Sequence, residues 1–139
     1  MILDDLGLPD ALEWLVQDFT QRTGVACQLA MDEQLPVLPA PQSTAVFRIV
    51  QESLSNVAKH ARASLVKVTI ERSETEVTMT VLDNGVGLAG DQPRKPHARG
   101  LLGIRERASM LSGEASIVSA PAEGTSVKVR LPLQKAVST

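Results

Sequence analysis

The chain has 139 residues, of which 43% are hydrophobic and 22% charged, and its formal net charge is −2. That is enough chain for one hydrophobic core and too little for two. The acidic balance argues against a nucleic-acid partner, and one Trp, two Phe and no Tyr leave little for base stacking. No apolar run approaches the roughly 18–20 residues that cross a bilayer, and residues 1–10 carry no signal-peptide pattern. A cytoplasmic domain with no direct membrane contact is therefore expected. Cys27 is the single cysteine, so there is no internal disulfide, and its place in an alternating stretch predicts a half-buried strand residue.

In chain order, Leu8, Leu12, Leu15 and Phe19 recur at spacings of three and four, which predicts an amphipathic helix over residues 8–23 with Gly24 as its stop. Residues 25–31 alternate as a strand. A loop marked by Pro36, Pro39 and Pro41 follows. Val46, Val50, Leu54, Val57 and Ala61 then form the stripe of a helix over residues 42–61, with Ser43 or Thr44 as candidate N-caps. Residues 65–72 and 76–83 alternate on either side of a short polar turn, the pattern of an antiparallel hairpin. Residues 84–100 read as a loop rich in glycine, proline and charge. A further helix is expected over residues 101–111, with Gly113 beyond its end. Residues 114–119 and 124–133 complete a second hairpin, and residues 134–139 a fraying tail. This order predicts an α+β two-layer sandwich, with a mixed, mostly antiparallel sheet covered on one face by three helices.

Four groups of residues could carry chemistry. At about 100° per residue, Glu52, Asn56 and Lys59 share a helix stripe that the core does not occupy. A solvated face would carry the same trio, but a carboxylate and an amide oxygen suit Mg²⁺ and an ammonium suits phosphate. Asp83-Asn84-Gly85-Val86-Gly87 follows a strand. It is either a plain turn or a strand-end carboxylate that accepts from an exocyclic amine, with glycines that let backbone approach a flat ring. Gly100-Leu101-Leu102-Gly103 opens the expected helix, where free N–H groups would cradle phosphate. The preceding loop carries Arg94, Lys95, His97 and Arg99, which is either a basic cover over a phosphate site or a charged surface loop. Gly124-Thr125 opens the last strand and offers a hydroxyl to a ligand or merely ends a turn.

Taken together and in this order, these motifs resemble the nucleotide-binding family called GHKL, which includes DNA gyrase, Hsp90 chaperones, mismatch-repair ATPases and histidine kinases. The resemblance spans nearly the whole chain and implies the Bergerat fold with ATP and Mg²⁺ as ligands. By residue, it implies that Asn56 holds Mg²⁺ with Glu52 nearby and that Lys59 and His60 lie in the N box against the nucleotide. Asp83 would receive the adenine amino group, and Gly85 and Gly87 would shape its pocket. Gly100, Leu101, Leu102 and Gly103 would border the ATP lid, and the Thr125 hydroxyl would lie near adenine. Glu52 is the implied catalytic residue. In gyrase-like relatives its counterpart activates water, while here it could orient the Mg²⁺ shell or take a proton from an accepting histidine.

The run from Phe47 to Ala61, the run Gly100-Leu101-Leu102-Gly103-Ile104-Arg105-Glu106-Arg107 and the stretch Leu3-Asp4-Asp5-Leu6-Gly7-Leu8 are similar to those of nitrate-sensor-like histidine kinases. That narrower resemblance implies a single catalytic domain over residues 1–139, monomeric as a fragment. Its partner would be a phosphoacceptor-histidine dimerisation domain lying upstream, and beyond it a response regulator with a helix-turn-helix output domain. His60 lies in the N box and His97 in the lid, so neither matches the phosphoacceptor. Other functions remain open on the same residues: an anti-sigma-type serine kinase of this fold, or a degenerate module that grips ATP without transfer. An ATPase clamp like gyrase would need further domains and a dimerisation arm.

Overall fold

The computed structural model describes residues 7–32, 38–61, 63–85, 94–120 and 124–133, with the backbone only at 60, 61, 94–101, 119 and 120. The first helix, α1 (Leu8–Thr23), carries proline in its first turn and ends at Gly24, whose φ of 76° is open to glycine at little cost. It buries Leu8, Leu12, Leu15 and Phe19 as their spacing predicts, together with Ala11 and Val16. β1 (Ala26–Met31) follows and pairs in parallel with β2 (Leu65–Arg72). β2 forms the expected antiparallel hairpin with β3 (Glu76–Asp83). β4 (Glu114–Ala120) and β5 (Gly124–Pro132) form the second hairpin, and β5 also pairs with β3. The sheet order is β1-β2-β3-β5-β4, one parallel pair in an otherwise antiparallel sheet.

The sheet's inner face is set by strict alternation. Val66, Val68 and Ile70 of β2, Val77, Met79 and Val81 of β3, and Val127, Val129 and Leu131 of β5 are all buried. Opposite them lie Ala45, Val46, Ile49, Val50 and Leu54 of α2 (Ala40–Asn56), and Ile104 and Ala108 of α3 (Arg94–Met110). This is the α+β two-layer sandwich expected, built on a nearly all-aliphatic core. Cys27 is half-buried on the edge strand β1, and burial pushes its thiol up to about 11, which leaves it protonated and unreactive at neutral pH.

The helix ends depart from expectation in three places. α2 begins at Ala40 rather than at Gln42, with Pro39 in the capping position and proline in the first turn, where a missing N–H costs nothing. Ser43 therefore lies inside the helix and caps nothing: its N–H donates to the Pro39 carbonyl at 2.9 Å. Gln42 is buried and donates from Nε2 to the Pro132 carbonyl at 3.1 Å, tying the start of α2 to the end of β5. At its other end α2 does not continue as an α-helix to Ala61 but widens into a π-helical turn over Val57–Ala61. α3 begins at Arg94, seven residues earlier than the glycine pair suggests. Pro96 falls in its first turn, where proline is tolerated, and an internal glycine costs only about 1 kcal/mol.

Gly113 lies beyond the end of α3, as expected. Gly113 N–H donates to the Ala108 carbonyl and Ser112 N–H to that of Ser109, the paired bonds of a Schellman cap. The left-handed position belongs to Ser112, at φ 62°, and not to Gly113. Gly113 is required for a close approach instead, since a Cβ there would stand 2.8 Å from Leu131 Cδ2 and closer still to the Arg130 carbonyl oxygen.

Candidate functional site

Asp83 continues the alternation of Val77, Met79 and Val81, so its carboxylate points to the core face of the sheet, where it is 5% exposed. Burial raises its pKa above the ordinary carboxylate value, against the opposing effect of N–H groups donated by Gly85 and Thr125. The Gly85 bond is 2.8 Å. Asn84, exposed, locks the chain on the other side. Its Oδ1 accepts from Ser64 N–H at 2.9 Å and Leu65 N–H at 3.0 Å, and its Nδ2 donates to Ser64 Oγ at 2.9 Å. The Asp-Asn-Gly sequence is thus a turn in form, built so that Asn84 holds the backbone outward while Asp83 faces in. Thr125 pairs with Asp83 across β3 and β5 and lies in the same row. Gly124 sits at φ 90°, with its α carbon against the Asp83 carbonyl.

The direction of α2 follows from its tether. Gln42 is held at Pro132, which pairs with Glu76 at the far end of β3 from Asp83. At 1.5 Å per residue, α2 carries Ser53 ~16 Å and Asn56 ~21 Å from that tether, towards the end of the sheet where Asp83 lies. Ser53 is 1% exposed, and both its Oγ and the Nδ2 of Asn56 are buried with no hydrogen-bond partner. Two adjacent unsatisfied polar groups are rare in a native core and mark a place completed by something else. Glu52 is half-buried on the neighbouring face, where α2 meets α3. A Cβ at Gly103 would stand 2.6 Å from Glu52 Oε1, so the glycine makes room for this carboxylate.

Other expected site residues fall elsewhere. Gly100, Leu101, Leu102 and Gly103 lie within α3, not at its N-terminus, so their N–H groups are not the free first-turn donors that a phosphate cradle needs. Leu102 is 55% exposed. Lys59 is exposed and lines a cavity of about 310 Å³ between α1 and α2, with Trp14, Phe19, Arg22, Gln51 and Ser55. Lys59 follows Ser55 by four residues and lines the same groove. Gly87 lies outside the described residues, as do Val86 and the tail 134–139. For His60 the backbone sits in the π turn. Ser53 was not singled out by the sequence because it lies on the core stripe, where a small serine reads as filler.

A two-layer sandwich with a buried carboxylate at a strand end, and with unpartnered amide and hydroxyl groups buried on the covering helix, has the makings of a nucleotide-binding domain. Comparison with known proteins gives the family. Residues 42–135 match the family model described as histidine kinase-, DNA gyrase B-, and HSP90-like ATPase, and the chain belongs to that family. As a member of it, the domain binds ATP. Among curated proteins, it is 39% identical over 134 residues to the signal transduction histidine-protein kinase/phosphatase DegS of Brevibacillus brevis, covering 96% of this chain and 34% of that protein. It is 35% identical over 129 residues to the nitrate/nitrite sensor protein NarX of Escherichia coli (strain K12), covering 91% of this chain and 21% of the relative. The chain thus spans between a fifth and about a third of these two relatives' length. Among solved structures, the histidine kinase domain of the Erythrobacter litoralis blue-light activated histidine kinase superposes with a TM-score of 0.72 at 23% identity, covering 88% of this chain and 59% of that one. This last similarity carries the fold alone. Among the described residues, no helix is long and apolar enough to cross a membrane.

Proposed function

We propose that this domain binds Mg²⁺-ATP between α2 and the Asp83 end of the sheet and donates the γ-phosphoryl group to a histidine on a separate helical dimerisation domain, from which it passes to a response regulator. The observation that carries the reading is the buried Asp83 carboxylate on the core face of β3. A carboxylate is an unfavourable residue there unless it is needed, and it selects a base that presents an amine. Adenine offers a donor at its 6-position where guanine offers an acceptor. Gly85, Gly87 and Thr125 would complete the base pocket.

One helical turn from Glu52, the Asn56 side-chain oxygen would serve a divalent ion, while its buried Nδ2, a donor with no partner in the fold, would suit a phosphate oxygen. Bound there, Mg²⁺ would neutralise charge on the phosphate oxygens. His60 and Lys59 of the π turn, and the segment Gly100, Leu101, Leu102 and Gly103, would approach the phosphates. Lys59 must leave the groove between α1 and α2 to do so, and a long flexible ammonium can. In the transfer step the bond from the γ-phosphorus to the bridging oxygen breaks, ADP leaves, and an imidazole nitrogen bonds to phosphorus and gives up its proton. Glu52, at the junction of α2 and α3, would accept that proton or orient the metal's water shell. The chain's own contribution is positioning and charge neutralisation, which dominate phosphoryl transfer.

The test combines the chain with Mg²⁺, γ-labelled ATP and a phosphoacceptor dimerisation domain of a nitrate-sensor-like kinase. The expected result is acid-labile label on the histidine domain, lost with Asn56→Ala. Acid-stable label on a serine of a small partner would instead support the anti-sigma-type kinase. Tight ATP binding with no label on either acceptor would leave a binding module.

A further inference from the structure

Among the described residues, Ser53 is a fully buried polar group that is neither paired within the fold nor used by the proposed mechanism. Its side chain is 1% exposed, and its hydroxyl has no partner. A helical serine ordinarily satisfies itself on the carbonyl four residues back. Here that is the carbonyl of Ile49, and the bond is not made. Ser53 and Asn56 are three residues apart on α2 and therefore share a face. Both leave a polar atom unpaired in the same buried neighbourhood. Ile49, Leu54 and Val57 around Ser53 are buried against the sheet, whereas Glu52 is half-exposed beside Gly103. Ser53 is thus on the sheet side of the helix, the side on which Asp83 points in.

We propose that the Ser53 hydroxyl is part of the nucleotide site and hydrogen-bonds the adenine ring, directly or through one ordered water shared with Asp83. A purine edge presents ring nitrogens that accept from a hydroxyl, and a buried water needs two to four polar partners of the kind Ser53 and Asp83 supply together. The orphaned hydroxyl is then the ligand-free state of a group that is satisfied on binding. This rests on the ATP-binding reading above.

The experiment measures melting temperature and ATP affinity, with Mg²⁺ and with EDTA, for the wild type and Ser53→Ala. Removing an unsatisfied hydroxyl from a helix, in favour of the best helix former, should leave the melting temperature unchanged or higher. ATP affinity should fall about 3- to 10-fold, the loss expected for one hydrogen bond, equally in both conditions. Wild-type affinity in Ser53→Ala would overturn the proposal, as would a lower melting temperature, which would show the hydroxyl paired in the ligand-free fold. A loss seen only with Mg²⁺ would move Ser53 to the phosphates and overturn the assignment to adenine. A wild-type protein that binds no ATP would overturn the nucleotide reading itself.

Discussion

Asp83→Asn should lower ATP affinity by about 10- to 100-fold, the worth of a charge-assisted hydrogen bond, with little change in stability. Two effects oppose each other in the ligand-free protein. Burial disfavours the Asp83 anion, so neutralising it relieves the fold. The asparagine leaves a single acceptor oxygen for the two N–H groups of Gly85 and Thr125, which weakens those bonds. Binding has no such offset, because the asparagine presents an amine where the adenine amine must be received. The pH dependence follows with a definite sign. A folded-state pKa raised above the unfolded value means that the native state holds this proton more tightly. Asp83 therefore contributes stability at low pH that is lost as pH rises through its folded pKa. ATP binding needs the anion and runs the other way. Affinity should fall on acidification, starting at a higher pH than an ordinary carboxylate would give. Titration of ATP into wild type and Asp83→Asn across pH measures both effects, and a pH-dependent loss of affinity that persists in Asp83→Asn would belong to another group.

The second large effect is expected on the fold at the same place. Gly124→Ala should destabilise the domain by about 2–4 kcal/mol, the cost of a strained backbone plus a steric clash. Gly124 sits at φ 90°, which alanine adopts only under strain, and its Cβ would drive into the backbone carbonyl of Asp83. That carbonyl belongs to the β3–β5 pairing and has no flexible end to swing aside. In a domain of this size such a loss lowers the melting temperature by about 10 °C. Because the clash falls on Asp83 itself, ATP affinity should fall as well. Urea denaturation of Gly124→Ala reads the first effect, and a midpoint like that of the wild type would show that the β4–β5 turn relaxes freely.

Much of this was legible in the sequence because burial and period coincide. Leu8, Leu12, Leu15 and Phe19 define α1 to the residue, and the alternation in β2 and β3 gives both hairpin strands with their observed ends. Asp83 was visible for the same reason, as a carboxylate at the end of an alternating strand. What the pattern cannot carry is winding and close approach. The π turn at the end of α2 leaves no mark in hydropathy, and Lys59, grouped with Glu52 and Asn56 by a period of about 100° per residue, lines the α1–α2 groove. Glycine misled at the start of α3, since Gly103 lies inside the helix and makes room for Glu52, whereas Gly113 falls beyond the helix end as expected, with Ser112 in the left-handed position. Ser53 was hidden because only the absence of a partner distinguishes it, and partners are a property of the folded chain.

Isothermal titration of ATP and of GTP, each with Mg²⁺, tests most directly whether the Asp83 pocket recognises adenine. Saturable ATP binding is expected, with GTP weaker by at least about tenfold, because guanine presents an acceptor to a buried carboxylate. Equal affinity for the two nucleotides, or no binding of either, would contradict it.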